Sequence, residues 1–322
     1  MLPSVSVVIP MRNEAKILKR CLRAIEKLDY PEKLLEVVIV NDGSTDNTKD
    51  IILNTKWSFN YQYIETEGVG VSKAREIGYK KAKGDFIAFT DADCVVEKDW
   101  IKRLLEPFDD NVAAVGGPNI TPEDDKPFAR CVGLALSFLS KPGARYAYQG
   151  EKIHEIYHNP TCNVMYRKSV LEEVGGFNHN LITTDDEELD YRIRKKGYKI
   201  IYTPFARVKH YRRANWKKYM SMAYYYGLGR MQSTKIHPKM ARWFHLAPPT
   251  YIILILALLI LLIYSKLFLF ILSTILLFHI VGVFIVALLY TRNSECQTLT
   301  FFGLVNLWIF LYGVGMIRGV FR

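Results

Sequence analysis

The stretch "DFIAFTDAD" (85–93) ends an apolar run with two carboxylates, Asp91 and Asp93, one residue apart. The apolar centre of the stretch predicts a buried strand. Aspartates are common where strands end, because their short side chains bond the backbone of a turn. Carboxylate oxygens are also the ligands that Mg²⁺ and Mn²⁺ prefer. The stretch alone leaves a turn and a metal site as alternatives, so other parts of the chain have to separate them.

Segments with strand and helix patterns alternate along the first 93 residues. Apolar runs at 4–10 and 35–42 predict buried strands, and "YQYIE" (61–65) predicts a third strand. Helices are predicted at 14–28, at 69–84, and through about residue 54 after the turn and N-cap residues at 43–48. Continuously apolar strands that alternate with helices indicate a mostly parallel sheet covered on both faces. The predicted fold class is therefore α/β.

Polar clusters follow three of these strands, at 10–14, 41–44 and 91–93. In sheets of this kind ligands bind at the carboxyl ends of the strands. Neither G-x-G-x-x-G nor G-x-x-x-x-G-K-[ST] occurs in the chain, so neither a dinucleotide-binding fingerprint nor a P-loop is supported. The three clusters together favour a ligand site of another kind.

Several residues near these clusters have both a binding and a structural interpretation. Asp42 is suited to accept a hydrogen bond from a nucleotide base, or to cap the following helix. The cations Arg12, Lys73 and Arg75 are suited to phosphate oxygens, or to solvent. A divalent cation on Asp91 and Asp93 would complete a site for a nucleoside diphosphate.

An acidic cluster, "TTDDEELDYR" (183–192), supplies candidates for a general base. A sugar hydroxyl is deprotonated near pH 7 only by a base within hydrogen-bond reach. Asp185, Asp186 and Glu188 are the candidates, although acidic residues in the first turn of a helix are also favoured by capping and by the helix dipole. This is the last acidic cluster before about 100 residues without one, which favours the functional interpretation.

The segment "VKHYRRANW" (208–216) adds candidates on the phosphate side. His210 is interpreted as a packed histidine, a third metal ligand or a pyrophosphate contact. Arg213 and Trp216 are suited to a diphosphate leaving group or to lipid headgroups. Asn163, which lies before the Gly175-Gly176 turn, is a candidate for the acceptor side.

The carboxyl-terminal part of the chain predicts a membrane anchor. Three runs without Asp, Glu, Lys or Arg are each long enough to cross the hydrocarbon core as a helix. We expect spans at about 246–264, 267–290 and 298–317, and thus a cytosolic domain at 1–235 and an anchor at 236–322. The third run contains Asn306 and three glycines, so an interfacial or re-entrant segment is the alternative there.

Charge is distributed unevenly within a formal net charge of +11. Residues 191–242 carry 15 Lys and Arg and no acidic residue, whereas residues 1–190 carry 24 basic and 31 acidic residues. A basic block that leads directly into apolar spans indicates a cytoplasmic domain close to anionic headgroups, rather than a nucleic-acid-binding protein. The five cysteines show no paired spacing and predict reduced core residues.

Five ordered blocks resemble the family-2 inverting glycosyltransferases of GT-A fold: "SVVIPMRNE" (6–14), "VVIVNDGSTDNT" (37–48), "GVSKAREIGYKKAKGDFIAFTDAD" (70–93), "NVMYRKSVLEEVGGF" (163–177) and "TTDDEELDYRIRKKGY" (183–198). The resemblance implies inverting transfer of a sugar, a hexosyltransferase activity, from a nucleoside diphosphate sugar. It places Asp91 and Asp93 in a D-x-D motif, with Asp93 as the direct metal ligand, and Asp186 as the base. The residues that it implies for the base and ribose pocket are Pro10, Arg12, Glu14, Asp42 and Ser44.

Two departures from the family pattern are visible. The acidic pair that holds the base is Asp185-Asp186 instead of Glu-Asp, and Glu76 stands where Asn is common. The carboxylate cluster favours a hydroxyl acceptor over the already ionised phosphate of dolichyl-phosphate sugar synthases. Arg213-Ala214-Asn215-Trp216 replaces the Gln-x-x-Arg-Trp motif of processive synthases, which favours addition of a single sugar.

The expected partners are a UDP- or GDP-sugar donor, Mg²⁺ or Mn²⁺, a lipid-linked acceptor and the membrane, but not nucleic acid. The expected location is a cell membrane crossed several times, with the active site in the cytoplasm. Two other functions remain open: a polyprenyl- or dolichyl-phosphate sugar synthase, and a non-catalytic membrane subunit that binds nucleotide sugars.

Overall fold

The computed structural model describes residues 2–140, 151–212 and 215–322. The chain falls into two compact units. The first consists of Met1–Pro122, Gly143–Asn180 and Asp185–Tyr211, and the second of Glu123–Pro142, Leu181–Thr184 and Arg212–Arg322. The boundary after residue 235 stays a prediction, since the basic helix at 216–236 belongs to the second unit together with the apolar helices.

The strands of the first unit form a large sheet and a small one. Among the described residues the large sheet has eight strands, in the order β3-β2-β1-β4-β9-β6-β10-β8, and the small one has the order β5-β11-β7. The strands are β1 (Val5–Met11), β2 (Leu35–Asp42), β3 (Tyr61–Thr66), β4 (Phe86–Thr90), β5 (Cys94–Val96), β6 (Val112–Gly116), β7 (Asn119–Ile120), β8 (His154–Glu155), β9 (Asn163–Arg167), β10 (Lys199–Tyr202) and β11 (Val208–His210).

Helices of the first unit cover the large sheet, and those of the second unit include the three apolar helices. The helices are α1 (Leu18–Ile25), α2 (Thr48–Asn54), α3 (Val71–Lys81), α4 (Trp100–Leu105), α5 (Pro127–Leu139), α6 (Lys168–Glu173), α7 (Asp185–Lys195), α8 (Trp216–Ile236), α9 (Trp243–Leu261), α10 (Leu267–Thr291) and α11 (Thr298–Val320). Short 3₁₀ turns lie at Glu32–Leu34 and Pro238–Met240.

The large sheet is mostly parallel and is buried on both faces. Strand β1 runs parallel to β2 and β4, β2 is parallel to β3, and β9 is antiparallel to β4 and β6. Alternate residues of one strand enter different cores: Val7 and Ile9 pack on one face of the sheet and Val8 on the other. This double burial explains why the strands are continuously apolar. The predicted α/β fold with a mostly parallel sheet is confirmed.

The small sheet begins directly after the two aspartates. Strand β5 follows Asp93 and pairs with β11 in antiparallel register, so that Cys94 lies opposite His210. The backbone amide of Tyr211 donates to the carbonyl oxygen of Asp93 at 3.0 Å. This register places His210, which is more than 100 positions later in the sequence, next to the end of "DFIAFTDAD".

Helices α9, α10 and α11 are long and apolar enough to cross a membrane. Helix α9 begins and ends three residues before the predicted span at 246–264, and the other two helices begin at the predicted residues. Helix α11 is continuous from Thr298 to Val320, and its Asn306 side chain pairs with the ring of His279 on α10 at 2.8 Å. Polar pairs of this kind are tolerated between membrane helices because each partner satisfies the other.

Helices α8 and α11 approach each other at glycines. A Cβ atom on Gly227 would lie 2.0 Å from the carbonyl oxygen of Tyr312, and one on Gly315 would lie 2.1 Å from that of Tyr224. Both obstacles are backbone atoms, which cannot rotate away as a side chain can. The two glycines therefore permit a contact between helices that any larger residue would force apart.

We expect Gly315→Val to destabilise the detergent-solubilised protein by about 1–3 kcal/mol or more, as overpacking does elsewhere. Gly282→Val is the matched control in α10, because nothing lies within 4 Å of a Cβ placed there. Thermal unfolding of both variants would measure the difference. Equal transition temperatures would contradict the packing argument.

The prediction that all five cysteines are reduced is wrong for two of them. Cys131 on α5 and Cys296, just before α11, form a disulfide, with Cα atoms 4.9 Å apart. Cys21, Cys94 and Cys162 are free and buried. The bonded pair is separated by 165 residues in sequence, so no local spacing could have indicated it.

Candidate active site

The loops that follow β1 and β2 are bonded into one structure. The backbone amide of Asn13 donates to the Ser44 hydroxyl at 2.9 Å, and the amide of Thr45 donates to the Asn13 side chain at 2.7 Å. The amide of Glu14 donates to the hydroxyl of Thr48 at 2.9 Å. Asn13 holds this arrangement with a positive φ of 57°. Four predicted site residues, Pro10, Arg12, Glu14 and Ser44, thus lie on or beside two linked loops.

Asp42 lies at the end of β2 and orders the loop after β3. Its carboxylate accepts hydrogen bonds from the amides of Val69 and Gly70, at 2.6 and 2.9 Å, and from the Thr66 hydroxyl at 2.6 Å. The N-cap position of helix α2 is Asn47, not Asp42, so the helix-capping interpretation of Asp42 is wrong.

Two of the predicted phosphate contacts lie on exposed surface near this loop. The Arg12 guanidinium passes over Gly68, where an added Cβ would lie 3.3 Å from its nitrogens. Lys73 is exposed on α3. Both cations remain accessible to an anionic ligand.

Arg75 joins the end of β4 to the start of α7. One guanidinium nitrogen lies 3.1 Å from Oδ1 of Asp91, and the other lies 3.6 Å from Oδ2 of Asp185. Arg75 is buried, so solvent ions screen its attraction to the two carboxylates less than they screen a surface ion pair. The D-x-D stretch and the acidic cluster, which are about 90 residues apart in sequence, therefore belong to one site.

Asp93 pairs with His210 on the other side of the D-x-D stretch. Oδ1 of Asp93 lies 3.3 Å from Nε2 of His210, and both side chains are largely buried. A carboxylate oxygen and an imidazole nitrogen in this arrangement are donor types that suit a divalent cation such as Mn²⁺. These donor types fit the cation that the sequence predicts.

Asp186 faces a buried histidine that the sequence reasoning missed. Nε2 of His158 lies 3.7 Å from Oδ2 of Asp186, and Nδ1 of His158 pairs with Oδ2 of Asp190 at 2.7 Å. Asp190 also accepts from the Tyr166 hydroxyl at 2.8 Å and from the Asn159 amide at 3.0 Å. The only local signal was the spacing of Asp186 and Asp190, which are one helical turn apart on α7.

The charges in this network shift the pKa values of its members. Burial alone would lower the pKa of His158, but Asp186 and Asp190 outweigh it, so the pKa is raised above 6.5. Burial raises the pKa of Asp185, and Arg75 opposes that increase. The imidazolium form of His158 is therefore favoured beside the carboxylate of Asp186.

Glu188, the third candidate for the general base, is buried and pairs with Arg192. Oε1 of Glu188 accepts a hydrogen bond from Nε of Arg192 at 2.8 Å. The same guanidinium also donates to the carbonyl oxygens of Val174 and Gly176. Glu76 completes this support, since it accepts from the Phe177 amide at 2.9 Å. The departure at Glu76 is thus explained by the support it gives to the glycine turn.

Asn163 is fully buried at the start of β9. Its amide nitrogen donates to the carbonyl oxygens of Pro118 and Ala206, and its oxygen accepts from the Trp100 indole at 2.8 Å. The side chain therefore fastens three segments of the first unit and is not brought to the site. Trp216 lies in the second unit, where it packs on Phe128 with ring centroids 4.8 Å apart. Arg213 lies outside the described residues.

The architecture of the chain is that of the GT-A fold. Its similarity to a solved mannosyltransferase from Pyrobaculum calidifontis, in complex with GDP-Man and Mn²⁺, covers 99% of this chain and 88% of that one, with a TM-score of 0.65 and 21% identity. At this identity the likeness concerns the fold alone. The predicted GT-A fold with apolar carboxyl-terminal helices is confirmed.

Curated relatives of the chain are named as glycosyltransferases. The chain is 30% identical to Glycosyltransferase AglE of Haloferax volcanii over 62% of this chain and 64% of the relative. It is 27% identical to a dolichyl N-acetyl-alpha-D-glucosaminyl phosphate 3-beta-D-2,3-diacetamido-2,3-dideoxy-beta-D-glucuronosyltransferase of Methanococcus voltae, over 70% of this chain and 72% of that one. Against other relatives the chain spans about half of their length.

The family model of glycosyl transferase family 2 matches residues 6–175, more than half of the chain. The chain therefore belongs to glycosyl transferase family 2. The prediction of a family-2 glycosyltransferase, made from the five ordered blocks, is confirmed.

Proposed function

We propose that the protein transfers one sugar, with inversion, from a nucleoside diphosphate sugar to a hydroxyl group of a membrane-linked acceptor. The observation that carries the proposal is the bridge made by Arg75. It lies 3.1 Å from Asp91 and 3.6 Å from Asp185, so one guanidinium links the D-x-D stretch to the acidic pair that holds the proposed base. A donor and an acceptor that react with each other must be held close together, and this link supports that arrangement.

The donor is proposed to bind at the carboxyl ends of β1, β2 and β4. Asp93, Asp91 and His210 would hold Mg²⁺ or Mn²⁺, which supplies positive charge to the diphosphate leaving group when bound. Asp42 and Ser44 lie on the side proposed for the base and ribose, with Pro10, Arg12 and Glu14, and Lys73 is proposed to contact phosphate. The solved mannosyltransferase of the same fold is in complex with GDP-Man and Mn²⁺, which supports this donor chemistry.

Asp186 is proposed to take the proton from the acceptor hydroxyl. The acceptor oxygen then attacks the anomeric carbon from the face opposite the leaving group, a new glycosidic bond forms, and the bond to the diphosphate breaks. The electron pair of that bond leaves with the nucleoside diphosphate. His158 lies 3.7 Å from Asp186 and holds the carboxylate in its ionised form as a positioning residue.

The acceptor is proposed to be a sugar on a lipid carrier. The carboxylate cluster would serve a hydroxyl better than the ionised phosphate of a polyprenyl-phosphate sugar synthase. The Methanococcus voltae relative supports this choice, because its name specifies a sugar on dolichyl phosphate. The three apolar helices and the basic block support a membrane location with the site on the cytoplasmic side.

A donor screen in native membranes tests this proposal. The full chain is incubated with UDP- and GDP-sugars and Mn²⁺, and lipid products are measured by mass spectrometry. We expect one hexose-type mass increment on a glycosylated lipid. A product on the bare polyprenyl phosphate would favour the synthase alternative, and donor binding without hydrolysis or product would favour the non-catalytic subunit.

We expect His158→Asn to move the acid limb of the pH profile of kcat upward by about one unit, because an adjacent cation lowers a carboxylate pKa by at least that much. The substitution removes the positive charge that lies beside Asp186, and this carboxylate must be ionised to act as a base. The raised pKa of His158 also means that its charge stabilises the fold below pH 6.5, and that this contribution is lost as pH rises through the raised value.

The measurement is kcat between about pH 4.5 and 8.5 at saturating donor, about two units to either side of an ordinary histidine pKa. His179→Asn is the matched control, since His179 is exposed on the surface of the first unit. An acid limb at the same pH in both variants would show that His158 has no electrostatic effect on the base.

A further inference from the structure

Two thiols and an imidazole converge beside the proposed donor cation site. The sulfur atoms of Cys94 and Cys162 and a ring nitrogen of His210 all lie within 4.8 Å of one another. The sheet register produces this convergence. His210 on β11 lies opposite Cys94 on β5, and Cys162 directly precedes β9, which pairs with β4. The two cysteines are 0% and 5% exposed.

Asp93 brings an oxygen to the same cluster. Its Oδ1 lies 3.8 Å from the Cys94 sulfur and 3.3 Å from Nε2 of His210. Two sulfurs, one nitrogen and one oxygen are a ligand set that Zn²⁺ binds in tetrahedral geometry. With metal–sulfur bonds of about 2.3 Å, the sulfurs of such a site stand roughly 3.8 Å apart. The two sulfurs lie within 4.8 Å of each other, so they need to approach by no more than about 1 Å.

We infer that Cys94, Cys162 and His210, completed by Asp93, form a site for Zn²⁺ or another thiophilic divalent cation. On binding, the two thiols lose their protons to solvent and both sulfurs coordinate the metal. Occupation of this site excludes the donor cation, because Asp93 and His210 are ligands in both arrangements. The exclusion rests on the proposed function, whereas the thiolate site stands on the cluster itself.

The two overlapping sites select different cations. Thiolates favour Zn²⁺ strongly over Mg²⁺ and Mn²⁺, whereas carboxylates alone suit the harder ions. The cytosolic cation that drives the proposed transfer and the one that blocks it would therefore compete for Asp93 and His210. Zn²⁺ bound at the thiolate site would therefore inhibit donor binding.

Cobalt spectroscopy tests the thiolate site without any donor. The full chain in detergent is freed of metal with a chelator and titrated with Co²⁺, which reports thiolate ligands by a charge-transfer band in the near ultraviolet. We expect one equivalent of Co²⁺ to produce the band, Zn²⁺ to bleach it, and Cys94→Ser and Cys162→Ser each to weaken Co²⁺ binding by roughly tenfold or more.

Cys21→Ser is the matched control, because Cys21 is a buried free thiol of the same unit whose sulfur donates to the carbonyl oxygen of Asp91 at 3.5 Å. This variant should keep the band. Alkylation followed by mass spectrometry should show that Zn²⁺ protects Cys94 and Cys162. Two results would overturn the inference: no Co²⁺ charge-transfer band in the unaltered chain, or an unchanged band in both the Cys94→Ser and the Cys162→Ser variant.

A donor assay tests the exclusion separately. Zn²⁺ should inhibit Mn²⁺-dependent binding of the donor found in the screen, and Cys94→Ser should raise the Zn²⁺ concentration for half inhibition by roughly tenfold or more. Retained Mn²⁺-dependent binding in that variant shows that it is folded. If the cobalt band forms but no donor binds in Mn²⁺, the proposed function fails and the metal site stands; equal Zn²⁺ inhibition of both proteins overturns the exclusion.

Discussion

Asp186→Asn is expected to abolish sugar transfer and to leave donor binding intact. The amide has nearly the shape of the carboxylate, but it cannot accept the proton of the acceptor hydroxyl. General bases contribute about 10²- to 10⁴-fold to rates, so we expect a loss of kcat in that range. Donor affinity should stay close to that of the unaltered protein, because the donor is proposed to bind at the strand ends.

The measurement is single-turnover transfer with the donor identified in the screen, together with equilibrium donor binding. Asp185→Asn is the informative comparison, since a guanidinium nitrogen of Arg75 lies 3.6 Å from Oδ2 of Asp185. A larger loss in Asp185→Asn would assign the base role to that residue. Transfer at the unaltered rate in Asp186→Asn would point to an acceptor phosphate, which requires no base.

Asp93→Asn is expected to abolish metal-dependent turnover of the donor. Asp93 lies 3.3 Å from His210 and is the proposed direct ligand of the cation. A metal ion contributes several kcal/mol to charge stabilisation, so the loss should be at least about 10²-fold in kcat/KM. The amide keeps the shape of the side chain and removes its charge.

Mn²⁺ titrations of donor hydrolysis and of donor binding would measure this effect. Asp91→Asn is the comparison, and we expect a smaller loss there because Asp91 divides its charge between the cation site and Arg75. Normal Mn²⁺ dependence in Asp93→Asn would remove the D-x-D interpretation altogether. A greater loss in Asp91→Asn would exchange the roles of the two aspartates.

Features with local signals were predictable from the sequence. Strand β2 lies at the predicted residues because apolar continuity marks a strand with two buried faces. The three apolar helices follow from length and composition alone. Asp91 and Asp93 could be singled out because a strand end is recognisable without knowledge of its neighbours.

Features that depend on distant partners were not predictable. His158 became a neighbour of Asp186 only through the packing of α7, and nothing in "YHNPT" (157–161) indicates it. Asn163 looked like an acceptor-side residue, but its amide is consumed by three buried hydrogen bonds. Buried polar groups acquire such partners wherever the fold brings them, since leaving one unsatisfied is costly.

The Arg75 bridge makes donor loading and proton binding reciprocal. Arg75 lowers the pKa of Asp185, against the increase that burial causes. A cation or diphosphate that weakens or strengthens the ion pair between Asp91 and Arg75 would therefore also change the electrostatic effect of Arg75 on Asp185. By thermodynamic reciprocity, a proton on Asp185 must change donor affinity by the same factor as the donor changes the proton affinity of Asp185. The apparent affinity for the donor should therefore depend on pH, even though Asp185 is not proposed to bind the donor.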